Sequence, residues 1–134
     1  MLLNIMQNST RNKGLYIEAR LLRFLDFYLQ KMIDYNESLS IVNLYLKELE
    51  GKIELSSKRS KIELMLIESA TMEKTYGWIF FYNSRQYIEE GNMSLALAGN
   101  TPLIVERRSG KLTVTGTARS IEYYSDLYEK QGFI

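Results

Sequence analysis

The chain has 134 residues, enough for one domain with a modest core, and 46% of them are apolar, which sets it among globular rather than disordered chains. Its 17 basic and 16 acidic side chains leave a net charge of +1, without the basic excess of a dedicated nucleic-acid binder. There is no cysteine and no histidine, which removes disulfides, thiolate nucleophiles, the commonest metal ligands and every Ser–His or Cys–His pair.

Acid–base work would therefore fall to carboxylates, Tyr or Lys. No acidic calcium loop and no Gly-rich phosphate loop is present, so no cofactor and no metal is expected. No apolar run approaches the ~20 residues of a membrane span, so no membrane partner is expected. The opening segment, MLLNIMQNSTRNKG, places its apolar residues before its charges, the reverse of a secretory signal. The expected location is the cytoplasm.

Residues 1–14 read as a frayed lead. From Leu15 to about Lys31 the spacing predicts a helix. Ile17, Leu21, Phe24 and Tyr28 form its stripe, and Leu22, Leu25, Leu29 and Met32 widen it. So wide a stripe calls for a partner surface, either the body of the protein or a second copy in a homodimer. Asp34 with Glu37 has the spacing of a capping box. The helix it starts turns Leu39, Val42, Leu46 and Leu49 inward, with Ile41 and Tyr45 beside them, and Gly51 predicts its end.

After a polar loop at residues 56–60, Ile62, Leu64 and Leu66 alternate with Lys61 and Glu63, the pattern of a strand. YGWIFFYN at 76–83 is apolar without alternation, as expected of a central strand covered on both faces. Trp78 and Phe80 would fill one face and Ile79 and Phe81 the other. Tyr76 and Tyr82, near its ends, are the residues expected to be exposed. The competing reading of this stretch is an aromatic groove for a ligand or peptide.

SRQYIEEGN predicts a short helix or turn ending at Gly91, and Gly99-Asn100 a turn before Pro102. PLIVERR and KLTVTGT predict a hairpin closed by Ser109-Gly110. Ser120 caps a last helix with Ile121, Tyr124, Leu127 and Tyr128 inward. The order is helix, helix, strand, strand, short helix, strand, strand, helix. It predicts an α+β fold with a mainly antiparallel four-stranded sheet and helices packed on it.

Candidate site residues are few. Glu89-Glu90 is a poor catalytic pair, because neighbouring residues on a helix point apart and no second pair faces them. Glu122, Asp126 and Glu129 share one face of the last helix, which can be plain solvated surface or can meet a basic partner. Arg107-Arg108 is too short for a nucleic-acid patch.

Across residues 76–129 the chain resembles the YrhB-domain family, found among immunity proteins of bacterial polymorphic-toxin systems. The resemblance is carried by Gly77-Trp78 leading into Phe80-Phe81-Tyr82, then by Tyr87, Glu89 and Gly91. Ala98-Gly99-Asn100, Pro102, Ser109-Gly110, Gly116-Thr117-Ala118 and Glu122-Tyr123 complete it. Such domains commonly begin near Met32, which implies a domain over 32–134 preceded by an extension at 1–31. The resemblance implies a non-enzymatic protein that binds and neutralises a toxin, with a chaperone-like binder as the alternative. The toxin-binding residues would be Glu89, Glu90, Glu122, Tyr123, Asp126 and Glu129, with Tyr123 as an aromatic anchor.

Overall fold

A computed structural model of the chain describes residues 18–26, 32–57 and 61–131. They fall into two units, one up to Met32 and one from Ile33 onward. In the first, residues 18–26 are helical (α1), with Leu21 and Leu25 exposed and Leu22 partly buried. Ile17, Tyr28 and Leu29 of the expected stripe lie outside the described residues, as does the expected lead at 1–14.

The second unit runs α2 (Tyr35–Ser57), β1 (Leu64–Leu66), β2 (Met72–Lys74), β3 (Gly77–Phe80), β4 (Tyr82–Ser84), α3 (Arg85–Glu90), β5 (Leu103–Glu106), β6 (Leu112–Val114) and α4 (Ile121–Gln131). It is an α+β fold. Four antiparallel strands form a sheet in the order β2-β3-β5-β6, and β1 pairs with β4 in a second, two-stranded sheet.

The capping box forms as read. The Asp34 side chain accepts from the Glu37 N–H at 2.7 Å, and the Glu37 side chain accepts from the Asp34 N–H at 3.0 Å. The inward face is also as read: Val42 and Leu46 are buried, and Leu39, Ile41, Tyr45 and Leu49 pack around them. The helix does not stop at Gly51 but runs to Ser57. Gly51 permits a C-terminal stop without requiring one, and a mid-helix glycine costs only about 0.5–1 kcal/mol. The apolar stripe continues to the partly buried Ile53. The Glu50 carboxylate, one position before Gly51, accepts from the Leu64 N–H at 2.6 Å and ties α2 to β1.

YGWIFFYN is core, but it is not one strand. Its first half is β3, second in the four-stranded sheet, and its second half is β4, paired with β1. Phe81 is the break between them. The face assignment holds: Trp78 and Phe80 pack with Tyr82 against α2, and Ile79 packs with Phe81 against α4. Tyr76 and Tyr82, expected to be exposed, are buried. Each is covered from a separate element, Tyr76 by α4 and Tyr82 by the core beneath α2. β2 was not expected, being only three residues long with two of them charged.

Gly77 sits at φ 152°, and a Cβ there would overlap the Val105 carbonyl oxygen on the paired strand. Arg107, from the β5–β6 turn, lies 4.3 Å from the Trp78 ring centroid and donates to the Glu73 carboxylate and the Lys74 carbonyl, each at 3.0 Å. The β2–β3 hairpin is thus pinned by β5 and its turn.

Trp78→Ala is expected to lose about 3–5 kcal/mol in chemical denaturation, the range for a large aromatic removed from a core. Gly77→Ala is expected to lose about 3 kcal/mol or more, because the backbone strain and the clash with a fixed carbonyl act together. A melting curve like that of wild type for Gly77→Ala would show that β3 and β5 are not in this close register.

Candidate functional site

Ser120 starts α4 by accepting from the Tyr123 N–H at 3.4 Å. Ile121, Tyr124 and Tyr128 then fall on the face that meets Ile79 and Ile104 of the sheet. Three hydrogen bonds to tyrosine hydroxyls fix the helix there. Tyr76 donates to Ser125 at 2.8 Å, Tyr128 donates to Thr113 at 2.8 Å, and Tyr124 accepts from the Gly116 N–H at 3.0 Å. The Tyr128 and Tyr76 rings stack with centroids 5.1 Å apart. Leu127, read as inward, is 37% exposed, because the inward arc is already filled by the larger tyrosines.

α4 lies over Ile79, Ile104 and Thr113 and leaves the β2 side of this face open. The gap is a cleft of about 260 Å³. Its floor is Met72, Ile79 and Ile121, and its rim carries Glu122, Asp126 and Glu129 from α4 and Lys74 from β2. Three of the residues expected to bind a partner are therefore brought to one cleft. Tyr123 stands beside them, 42% exposed, with the Arg119 guanidinium 4.9 Å from its ring centroid and its edge against Tyr124.

Glu89 and Glu90 lie elsewhere. They are exposed on α3, which packs on β4 and β1. Glu89 is 3.9 Å from Arg85, which also reaches Glu63 at 3.1 Å, so the local charge is partly neutralised. Met72, Lys74 and Ser125 went unnoticed in the sequence. Met72 and Lys74 share a face by strand alternation, but three residues are too few for that signal to stand out.

The carboxylates act on the buried phenol beneath them. Burial pushes the Tyr76 hydroxyl above its ordinary 10.0, the Ser125 hydrogen bond pulls the other way, and the charges of Glu129 and Asp126 add to the rise. Tyr82 is raised as well, by burial and then by Tyr45. Glu122 is held below the usual carboxylate value by hydrogen bonds to its own N–H and to Ser120. Among the described residues no cluster of carboxylates is arranged to hold a metal ion, and no helix is long and apolar enough to cross a membrane.

A family model described as Immunity protein 35 matches residues 36–126. The chain belongs to the immunity protein 35 family. It is also 29% identical over 98 residues to the uncharacterized protein YrhB of Escherichia coli (strain K12), an alignment covering 73% of this chain and 90% of that relative. No solved structure matches. The family match contains the whole four-stranded sheet together with Glu122 and Asp126, and Glu129 lies just beyond its end.

The raised phenol of Tyr76 makes a pH prediction. Below pH 10 the phenol is neutral in both the folded and unfolded chain, and its contribution to stability is complete. Above that value the unfolded chain ionises first, and stability falls until the folded phenol ionises too. Tyr76→Phe is expected to lose about 0.5–1.5 kcal/mol at neutral pH with the Ser125 hydrogen bond, yet to lose less stability than wild type on going above pH 10. Urea unfolding across that range checks it. Equal alkaline losses in the two proteins would take Tyr76 out of the transition.

Proposed function

We propose that this immunity protein 35 member binds and neutralises one cognate bacterial toxin of a polymorphic or contact-dependent system, in the cytoplasm and without catalysis. We assign the contact to the α4 face, and the cleft between α4 and β2 is the observation that carries the assignment. Its apolar floor can take the stem of a long basic side chain while Glu122, Asp126 and Glu129 meet the charged head. A toxin that acts on nucleic acid would offer such basic groups at its own active site, and an acidic face would occupy them as a phosphate backbone does.

Tyr123 adds aromatic area held in place by Arg119 and Tyr124, as suits an anchor. A tight complex buries roughly 1,200–2,000 Å² in total, so the contact would spread from the cleft across α4 and the loop before it. Glu89 and Glu90, on a different element, would belong to it only at its margin. The absence of His and Cys supports a binding role over a catalytic one.

A chaperone-like role is favoured by one observation: Leu21 and Leu25 leave apolar surface exposed on α1. That surface lies in the segment we assign to an extension at residues 1–31, ahead of the domain at 32–134. It could instead meet a second copy.

Co-expression with the toxin encoded beside the gene is the test. Protected cells and a complex on a sizing column are expected. Asp126→Lys with Glu129→Lys should weaken binding by at least about tenfold, chiefly through slower association, while leaving the melting temperature near wild type. Cells that die equally with and without the protein, and no complex, would remove the immunity reading. Protection that survives the double charge reversal would move the contact off α4.

A further inference from the structure

The four-stranded sheet has two edges, β2 and β6, and they differ in a way that bears on association. An open edge presents unpaired N–H and C=O groups, and proteins guard such edges with charge, proline or bulges. β2 is guarded: it reads Met72-Glu73-Lys74, and Glu73 is held by Arg107. β6 is not. From Leu112 to Thr117 the sequence is Leu-Thr-Val-Thr-Gly-Thr, with no charge and no proline.

The register shows which groups β6 offers. Thr113 pairs with Ile104, and the bonds from the Glu106 N–H to the Lys111 carbonyl at 3.0 Å and from the Thr115 N–H to the Pro102 carbonyl at 3.1 Å lie two residues to either side. Backbone groups alternate in direction along an antiparallel strand. Lys111, Thr113 and Thr115 therefore point their bonds into the sheet, and Leu112 and Val114 point theirs outward. The Val114 side chain is 49% exposed at this edge, on the face whose core includes Leu103 and Val105.

We propose that β6 pairs with β6 of a second copy, antiparallel about a two-fold axis at Thr113, to make one continuous sheet. The sequence is complementary to itself in that register. Leu112 falls opposite Val114 of the second copy, and each such pair exchanges both backbone bonds. The exposed Val114 is covered by Leu112 of the second copy, which extends the apolar layer under α2 from one molecule to the next. Lys111 falls opposite Thr115, so no like charges meet. A two-fold contact of this kind is closed and does not propagate into a fibre. A single strand pair buries less than a standard interface, so the association is concentration-dependent.

Sedimentation of the full chain from micromolar to near-millimolar concentration tests this. Wild type is expected to pass from monomer to dimer mass. Val114→Pro removes only an outward N–H, so the ladder to β5 survives and the dimer is lost. Val114→Lys keeps the N–H and places a charge against Leu112 of the second copy, with the same expected loss. Circular dichroism and melting of both variants should match wild type, and at least one folded variant suffices for the comparison. A wild-type chain that stays monomeric throughout overturns the proposal. A dimer that survives in a folded variant also overturns it, and gives the contact to another surface such as α1. If monomeric wild type protects cells and Val114→Pro does not, the edge serves a strand of the toxin instead.

Discussion

The close pairing of β3 with β5 is the contact on which the rest of the domain depends. Both strands are buried along their whole length, so their side chains supply two cores at once. Trp78, Phe80, Leu103 and Val105 make the layer under α2, and Ile79 and Ile104 make the layer under α4. A strand pair covered on both faces cannot slip by one residue without exchanging the two layers. Gly77 holds the register at one end, where only a residue without Cβ can lie against the Val105 carbonyl. Arg107 holds the same end by stacking on Trp78 and bonding to the β2 backbone.

The break at Phe81 lets one apolar stretch serve two sheets. Beyond it, Tyr82 and Asn83 organise the connection to β5. The Asn83 side-chain oxygen accepts from the Leu97 N–H at 2.8 Å, and the Asn100 amide donates to the Tyr82 carbonyl at 2.5 Å. Ser84 caps α3, and Gly91 ends it in the left-handed conformation at φ 70°. Most residues that carry the resemblance to YrhB-domain proteins are of this kind: turn glycines, the Gly91 that ends α3, the loop-pinning Asn100 and core aromatics. They account for a shared fold. The carboxylates of the α4 cleft, to which we assign the toxin contact, lie largely outside that group.

The cleft follows from the same construction. α4 is anchored by tyrosines over β3, β5 and β6, and β2 extends the sheet beyond the width that one helix covers. The uncovered strip keeps an apolar floor, because Met72 shares a face with the buried Ile79. The rim is acidic because the α4 positions that face β2 are the carboxylates Glu122, Asp126 and Glu129. Net charge near zero conceals this, since most of the 17 basic residues lie away from the cleft, where Lys74 is the one basic residue among the described lining side chains.

Much of the architecture was legible in the sequence. The Asp34–Glu37 cap, the inward face of α2, the β5–β6 hairpin and the order of the long elements all rest on interactions between near neighbours, which a sequence pattern records directly. The acidic face of α4 was visible for the same reason, as a spacing along one helix. Contacts between distant segments decided the rest. Tyr76 and Tyr82 became core because α4 and α2 fold over them, and Leu127 was left outside because the tyrosines beside it fill the space. The strand at YGWIFFYN was divided because β4 could pair with β1 while β3 paired with β5. Glu122, Asp126 and Glu129 came to share a cleft with Met72 and Lys74, roughly fifty residues away, while Glu89 and Glu90 went to another sheet. Periodicity tells which side of an element is apolar, but what covers that side depends on which elements meet, and that is settled only when the chain packs.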